Sequence, residues 1–140
     1  MARLDYVDTY ERSFYKRLIE NLPTGYTKAN VVNAGMDAVK SIQAPYLKQS
    51  TVILNRGNSS AGGLTARTRF LHTISILVDK DSGSAKRGVT ATAKQIMSAF
   101  ENEYFDGLYC IEAIPDKIGD EPNTNLYRYD ILINGYFEGN

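Results

Sequence analysis

The side chains best suited to catalysis are the single histidine, His72, and the single cysteine, Cys110. A cysteine nucleophile needs a neighbouring base, and a Cys/His pair here would have to be assembled from two separate strands. A second enzyme hypothesis pairs His72 with Asp130 or Glu112, which requires these groups to converge in one pocket. The local patterns favour structural roles, because His72 lies on an alternating strand and Cys110 in an apolar run. We therefore predict no catalytic residues and a protein that is not an enzyme.

Two further segments resemble ligand-binding motifs only in part. Gly57 and Gly62 have the glycine spacing of a phosphate-binding loop, but the Lys and the Ser or Thr that must follow are missing. Residues 79–83 begin like a calcium loop, yet the glycine comes one position early and Thr90 stands where a bidentate Glu is needed. A solvated turn between a strand and a helix explains residues 79–83 better. The sequence predicts no cofactor and no metal.

Two segments have the periodicity of amphipathic helices. In residues 5–22 an apolar side chain recurs at every fourth position, with Asp5 as the expected N-cap and Pro23 as the expected stop. The second helix starts near Lys86 and should end at residues 106–107. Its expected core-facing positions are Val89, Ala93, Ile96, Met97, Phe100 and Tyr104.

The remaining segments read mainly as strands. The predicted strands are residues 28–34, 50–56, 65–78, 108–114 and 126–138, with a polar loop at 115–125 and a possible helical turn at 35–42. In the second long strand, Phe70 and Ile74 belong to the buried face and Arg69 and Thr73 to the polar face. Clustered strands with two helices predict an α+β fold, with a mostly antiparallel mixed sheet covered by two main helices.

A soft segment separates the two longest strands of the first half. It consists of Gly57, Asn58, Ser59, Ser60, Ala61, Gly62 and Gly63. Tight hairpins use two-residue turns, whereas a Gly/Ser-rich connection of this length has little apolar content and a large ordering entropy. Arg67 and Arg69 follow on the polar face of the next strand, where a plain solvated role is the alternative. We expect the loop to project and, with these arginines, to contact a neighbouring subunit or enclosed DNA.

Composition limits the possible classes of protein. A chain of 140 residues, 43% hydrophobic and 23% charged, fits one globular domain spanning 1–140. No apolar run approaches the roughly 20 residues of a membrane span, and the first residues turn polar too soon for a signal peptide. One cysteine excludes an internal disulfide. We expect a soluble intracellular protein without a membrane partner.

The charge distribution is uneven although the formal net charge is zero. Residues 1–70 hold ten Lys or Arg and five Asp or Glu, whereas the rest of the chain holds six and eleven. If the fold separates these halves, neighbouring copies could meet head to tail, positive against negative. If the halves interleave in one sheet, the charges only solvate the surface. The zero net charge itself argues against sequence-independent nucleic-acid binding.

The order of elements resembles the tail terminator, or tail completion, proteins of long-tailed bacteriophages. The similarity rests on an N-terminal helix, the Pro-led strand Pro45–Arg56, the flexible loop, the strand Thr68–Val78, an amphipathic helix, an acidic loop and a final strand. It runs over essentially the whole chain but includes no invariant signature. The resemblance implies a structural virion protein of the tail or neck, assembled in the host cytoplasm. It brings no catalytic residues.

The resemblance also implies partners. Tail terminators form a hexameric ring on the last ring of the tail tube, end its polymerisation and present the opposite face to the head-tail connector or stopper protein. DNA would pass through the ring without sequence-specific binding. The alternatives are a sibling neck component, such as a head-tail stopper, or a small monomeric adaptor that adds a peptide strand at a sheet edge. The ten tyrosines suit a protein interface or half-buried strands equally well.

Overall fold

The computed structural model describes residues 3–33, 43–58 and 66–139. In chain order the elements are helix α1 (Arg3–Glu20), a 3₁₀ turn (Lys28–Asn30), β1 (Val31–Asn33), β2 (Tyr46–Asn58), β3 (Ala66–Asp79), α2 (Gly83–Phe100), β4 (Glu103–Phe105), β5 (Leu108–Asp120) and β6 (Leu126–Gly139). The predicted helical turn at 35–42 lies outside the described residues.

The strands form one six-stranded sheet in the order β1-β2-β3-β6-β5-β4. Only β1 and β2 pair in parallel, and every other neighbouring pair is antiparallel. The predicted α+β fold with a mostly antiparallel mixed sheet and two covering helices is therefore confirmed.

Both helices pack on the same face of the sheet and form the main core with it. Phe14 and Leu18 of α1 are fully buried, as are Ile96 and Phe100 of α2. The facing side chains come from alternate positions of the strands, since successive residues of a strand point to opposite faces. In β3 they are Phe70, His72, Ile74, Ile76 and Val78. The predicted alternation of this strand is thus confirmed.

The second helix ends earlier than predicted. Asn102 adopts a left-handed conformation with φ of 57° just after the C-cap residue Glu101, so the chain turns out of the helix. Tyr104 therefore lies on the short strand β4, where it is 60% exposed instead of facing the core. At the other helix, α1 begins at Arg3, so Asp5 lies inside it and is not the N-cap.

The strand predicted at 28–34 is shorter than expected, because residues 28–30 form a 3₁₀ turn and the strand covers only Val31–Asn33. Two other strands are longer than predicted. β5 runs to Asp120, and the polar loop expected at 115–125 is mostly strand. Pro115 pairs with β6 on one side, and no described strand pairs with it on the other side. Its missing N–H therefore removes no hydrogen bond on that outer edge. β2 extends from Tyr46 to Asn58, which places the first two residues of the expected loop in the β2–β3 ladder.

Candidate interaction surface

His72 is a buried structural histidine. It is 1% exposed, and both of its ring nitrogens have polar partners on β2. Its Nδ1 lies 2.7 Å from the hydroxyl of Thr51, and its Nε2 lies 3.1 Å from Oε1 of Gln49. Gln49 in turn donates its amide hydrogen to Oδ1 of Asn33 at 2.7 Å. In this series of hydrogen bonds Nε2 of His72 donates and Nδ1 accepts, which is the pattern of a neutral imidazole.

Burial reinforces the neutral state of this histidine. It lowers the pKa of His72 to about 3, since the charged form would lose its hydration. A group with that pKa and no contact with water is unsuited to accept a proton at neutral pH. The structural role predicted for His72 is confirmed by its geometry.

The carboxylates of the second enzyme hypothesis lie on the opposite face of the sheet. Asp130 pairs in register with Ser75, and Glu112 pairs with Asn134, whereas His72 points toward the helices. Asp130 is 3% exposed, and its two oxygens accept hydrogen bonds from Nε and a terminal nitrogen of Arg128, each at 2.8 Å. These groups do not converge with the imidazole.

Cys110 also has the environment predicted for a small buried side chain. It is 2% exposed on the helix-facing side of β5. Burial raises the pKa of its thiol to about 12, although the charge of Arg17 acts in the opposite direction. The reactive form of a cysteine is the thiolate, so this thiol is not suited to nucleophilic chemistry.

The segment 79–83 forms the predicted turn into a helix. The carboxylate of Asp79 accepts a hydrogen bond from the backbone N–H of Asp81 at 2.9 Å. The hydroxyl of Ser82 accepts one from the N–H of Ala85 at 3.2 Å and so caps α2. Among the described residues, no three His, Cys, Asp or Glu side chains are grouped as a metal site.

A shallow cleft lies between the end of α1 and the outer side of α2. Two hydrogen bonds bridge it: the backbone N–H of Thr24 donates to Oε1 of Gln95 at 2.8 Å, and Nε2 of Gln95 donates to the hydroxyl of Thr24 at 3.3 Å. Its lining residues are Asn21, Leu22, Thr24, Gln95, Ser98 and Ala99. These residues include no acid, base or thiol, so the cleft offers binding groups without a proton donor or acceptor near neutral pH.

The opposite face of the sheet carries no described helix, and we call it the helix-free face. Its apolar side chains, which we call the apolar patch, are Val52, Leu71, Tyr109, Ile114, Leu132 and Tyr136, and Thr73, Asn134 and Glu112 lie among them. Val52 is 53% exposed and Ile114 42% exposed. Sequence reasoning missed this patch, although Leu71 interrupts the polar phase of β3 and so gave a signal for it. Exposed apolar side chains grouped on one face of a sheet can contribute to an interaction site.

A row of tyrosines includes two members of the apolar patch, Tyr109 and Tyr136, and extends to Tyr104. The rings of Tyr104 and Tyr109 have centroids 4.3 Å apart, and those of Tyr109 and Tyr136 are stacked at 4.9 Å. Arg69, which is exposed, pairs in register with Tyr136 at the end of the row. The planes of Tyr109 and Tyr136 are 15° from parallel, whereas those of Tyr104 and Tyr109 are tilted by 37°, and Tyr104 is 60% exposed.

The charges on the helix-free face are only partly separated by sign, because Arg128 lies on β6 beside Asp130 and interacts electrostatically with Asp116. Lys48 and Arg69 lie on the β2–β3 side, whereas Glu112 and Asp116 lie on β5. Glu112 accepts a hydrogen bond from the side-chain amide of Asn134 at 2.9 Å. Basic groups therefore lie on β2, β3 and β6 and acidic groups on β5 and β6, interspersed with the apolar side chains.

The two halves of the sequence separate within the sheet but not in the whole fold. β1 and β2 of the basic half occupy one side, and β6, β5 and β4 of the acidic half occupy the other. Helix α1 belongs to the basic half but reaches the acidic side, where Arg17 pairs with Glu103 at 3.5 Å. The separation of basic and acidic halves that the sequence suggests therefore holds for the strands of the sheet but not for helix α1.

The predicted contact loop is only partly described. Gly57 pairs with Arg67 and Asn58 with Ala66 at the end of the β2–β3 ladder. The loop positions Ser59, Ser60, Ala61, Gly62 and Gly63 lie outside the described residues. Arg67 and Arg69 belong to β3, as predicted, and Arg69 lies on the helix-free face.

The outer edge of β5 has features that oppose strand addition. β4 pairs only with residues 108–110, so the rest of this edge faces no other described strand. Two β-bulges interrupt β5, Pro115 lacks an N–H, and Lys117 adds a charge. The carboxylate of Glu101 also accepts a hydrogen bond from the N–H of Ala113 at 3.3 Å. Bulges, Pro and Lys are typical protections of edge strands, so this edge fits the adaptor hypothesis poorly.

Comparisons with known proteins concern the fold. The structure is similar to that of a chain from the virion of a native gene transfer agent particle, with a TM-score of 0.51 and 16% sequence identity. The similarity covers 80% of this chain and 81% of that chain. No family model and no curated protein matches the sequence. No helix among the described residues is long and apolar enough to cross a membrane.

Proposed function

We propose that this protein is a structural virion subunit of the tail terminator type. It forms a ring, of six copies by the family resemblance, that caps the tail tube, ends its polymerisation and presents the surface for joining the head. The observation that carries the virion part is the fold similarity to a gene transfer agent virion chain, which extends over four-fifths of both chains. The order of elements supports the narrower assignment to a terminator.

The described surface supports an assembly role over a catalytic one. The histidine is neutral and buried, and the cysteine is buried. The largest exposed apolar side chains instead lie along the strands, among them Val52 and Ile114 on the helix-free face. Exposed apolar and tyrosine side chains are the usual material of protein interfaces.

The proposed contacts with the tube use the loop and its basal arginines. The segment 57–63 would contact the tube protein or a neighbouring subunit, and Arg67 and Arg69 would supply charge at its base. The opposite end of the ring would meet the connector or stopper protein. DNA would pass through without sequence-specific contacts, and the assembled protein would reside in the tail or neck of the virion.

A sedimentation experiment with tail tubes tests this proposal. Purified protein is mixed with tubes assembled from a long-tailed phage tube protein, and the tubes are pelleted. We expect binding that saturates at a fixed number of copies per tube, independent of tube length, because a terminator binds ends only. Binding that rises in proportion to tube length, or no binding, would contradict the proposal.

Charge variants refine the same experiment. The double variant Arg67→Glu, Arg69→Glu should bind tube ends at least about tenfold more weakly, since like charges at an interface are strongly unfavourable. Lys94→Glu makes the same type of change on the exposed side of α2 and should leave binding unchanged. Equal losses in both variants would show that the arginines have no special role.

A further inference from the structure

We propose that two opposite sides of the sheet meet between neighbouring copies of this chain, so that the β2 side of one copy contacts the β4–β5 side of the next. The contact would join Leu54 of one copy to Tyr104 and Ile111 of its neighbour. This inference rests on the proposed function, because it assigns the two surfaces that would close the ring.

The exposed apolar side chains lie on the outer strands of the sheet. The large apolar side chains that are exposed among the described residues are Val52, Leu54, Tyr104, Tyr109, Ile111, Ile114 and Ile118. All of them belong to β2, β4 or β5, whereas the central strands β3 and β6 contribute none to this set. Both sides of the sheet therefore present apolar groups that a partner could cover.

The two sides are open where these side chains lie. β1 pairs only with Leu47–Gln49 of β2, and β4 pairs only with Leu108–Cys110 of β5. No other described strand pairs with the outer side of β2 at Leu54 or of β5 at Ile111. Each of these two residues is the extra residue of a β-bulge, and they are 53% and 52% exposed. Bulges redirect side chains and interrupt backbone pairing, so they favour a contact through side chains over an added strand.

The register places the apolar groups of the two sides at nearly the same height along the strands. One row of paired residues contains Ile53, Phe70, Gly135 and Cys110, and the next row contains Asn55, Arg69, Tyr136, Tyr109 and Tyr104. Leu54 lies between these rows, Tyr104 lies in the second, and Ile111 directly follows the first. A closed ring has no rise from one subunit to the next, so groups of equal height meet when the strands run along the ring axis.

The twist of the sheet confines the contact to a short stretch. Neighbouring strands rotate by about 20–25°, so β2 and β5, which are three steps apart, differ in direction by roughly 60–75°. The outer strands of two copies would therefore cross instead of running side by side. The crossing point that buries the most apolar surface is the height of Leu54 and Ile111.

The two sides of the sheet also carry opposite charge. Strands β2 and β3 together hold four basic residues and one acidic residue, whereas residues 103–120 hold five acidic residues and one basic residue. The four basic residues are Lys48, Arg56, Arg67 and Arg69, and the five acidic residues are Glu103, Asp106, Glu112, Asp116 and Asp120. A contact between two β2 sides, or between two β5 sides, would bring like charges together. The charges therefore favour a head-to-tail contact over a symmetric one.

Some of these charges are already engaged within the chain. Glu103 and Asp120 each pair with a base on a helix, and Asp116 acts on a base of β6. Asp106 and Arg69, by contrast, are exposed and form no ion pair with another described residue. Asp106 lies in the turn between β4 and β5, beside the proposed contact. Its carboxylate is thus available to the basic side of a neighbouring copy.

The size of the contact sets its expected strength. It centres on three apolar side chains, which is well below the area of a standard interface. Subunits held side by side on a tube end have a high effective concentration, which strengthens each weak contact. We therefore expect rings on tube ends and, without tubes, only at high protein concentration.

Disulfide cross-linking between two single-cysteine variants tests the inference. Leu54→Cys and Ile111→Cys are each made in a Cys110→Ala background and oxidised, separately and mixed, at high concentration and on tube ends. Linked dimers should form at least about tenfold faster in the mixture than in either variant alone, because the contact raises the effective concentration of the two thiols. The variant with both cysteines should give a ladder of linked species that ends at the closed ring.

Two matched controls separate this contact from random encounters. Ile118→Cys changes an isoleucine of similar exposure (47%) at the other bulge of β5, and it should not cross-link with Leu54→Cys. Asp106→Asn should slow the cross-linking about threefold at low salt, since it removes a charge beside the contact. Asp81→Asn removes an exposed acid at the opposite end of the sheet and should have no effect.

The outcomes distinguish this inference from the proposed function. Faster cross-linking in either single-cysteine variant alone than in the mixture would indicate a symmetric contact and overturn the inference. Protein that caps tube ends without cross-links in the mixture would also overturn it, while leaving the proposed function intact. Cross-links between Leu54→Cys and Ile111→Cys in a protein that ignores tubes would support the contact and contradict the terminator assignment.

Discussion

The imidazole of His72 lies flat against the ring of Phe14, with ring centroids 3.9 Å apart and planes 6° from parallel. This contact joins β3 to α1 on the inner side of the sheet. Thr51 and Gln49 hold the two ring nitrogens in the same site. The only histidine of the chain is therefore part of the packing between a helix and the sheet.

Because of this histidine, the free energy of unfolding should decrease as the pH decreases. The folded pKa of about 3 lies below the ordinary value of 6.5, so the unfolded chain binds the proton between these two values. The stabilisation is complete above pH 6.5 and is lost as the pH falls toward 3. Urea unfolding should show a loss of about 2 kcal/mol from His72 between pH 7 and pH 5. His72→Gln, measured over the same range, should lack this part of the slope; identical slopes would contradict the prediction.

Gly135→Ala should destabilise the fold strongly. A Cβ at Gly135 would fall on the carbonyl oxygen of Tyr109 and lie 3.0 Å from Cζ of Phe70. The backbone of β5 would have to move, and we expect a cost of about 3 kcal/mol or more in thermal or urea unfolding. Gly88→Ala is the matched control, because a Cβ there meets nothing within 4 Å and Ala favours the helix. A wild-type stability in Gly135→Ala would contradict the close approach of these strands.

Arg128 and Asp130 form an ion pair on the helix-free face, and removing either side chain should lower the free energy of unfolding by a different amount. The hydrogen bond from Arg128 engages Asp130, whose side chain is 5% exposed, while that of Arg128 is 33% exposed. Arg128→Ala would leave a buried carboxylate without its partner, at a cost of about 3 kcal/mol. Asp130→Ala should cost less, since the arginine can turn to water. The double variant should be more stable than the sum of the two losses implies, and additive losses in urea unfolding would contradict this coupling.

Cys110 should react only when the protein unfolds. Its thiol is 2% exposed, and its pKa is raised to about 12 by burial. Incubation with a thiol reagent at pH 8 should give no labelling of the native protein and complete labelling in urea. As the chain has one cysteine, the labelled fraction reports directly on unfolding. Rapid labelling of the native protein would show that the helix-facing side of β5 opens readily.

Local sequence patterns predicted the fold class and the helix-facing side well. The fourth-residue spacing placed Phe14 and Leu18 in the core, and alternation in β3 placed His72 on the same side. These predictions depend on the spacing of apolar residues, which can be read within a single segment without knowing its partners. The flanking residue Asn102, by contrast, ends α2 through a left-handed conformation that helical spacing does not reveal.

The interaction surface could not be derived in the same way. The apolar patch takes its side chains from four strands, and each register depends on partners distant in sequence. The length of β5 depends on its long partner β6, which carries the strand past Pro115. The position of the apolar patch therefore follows only from the complete topology.

Negative-stain microscopy of tube ends tests the central claim most directly. The purified protein would be imaged alone at high concentration and after mixing with tail tubes from a long-tailed phage. A terminator should appear as a ring-shaped cap on the tube ends, and tubes assembled in its presence should stop growing. Bare tube ends, continued growth and no rings at any concentration would contradict the assignment of this chain as a tail terminator.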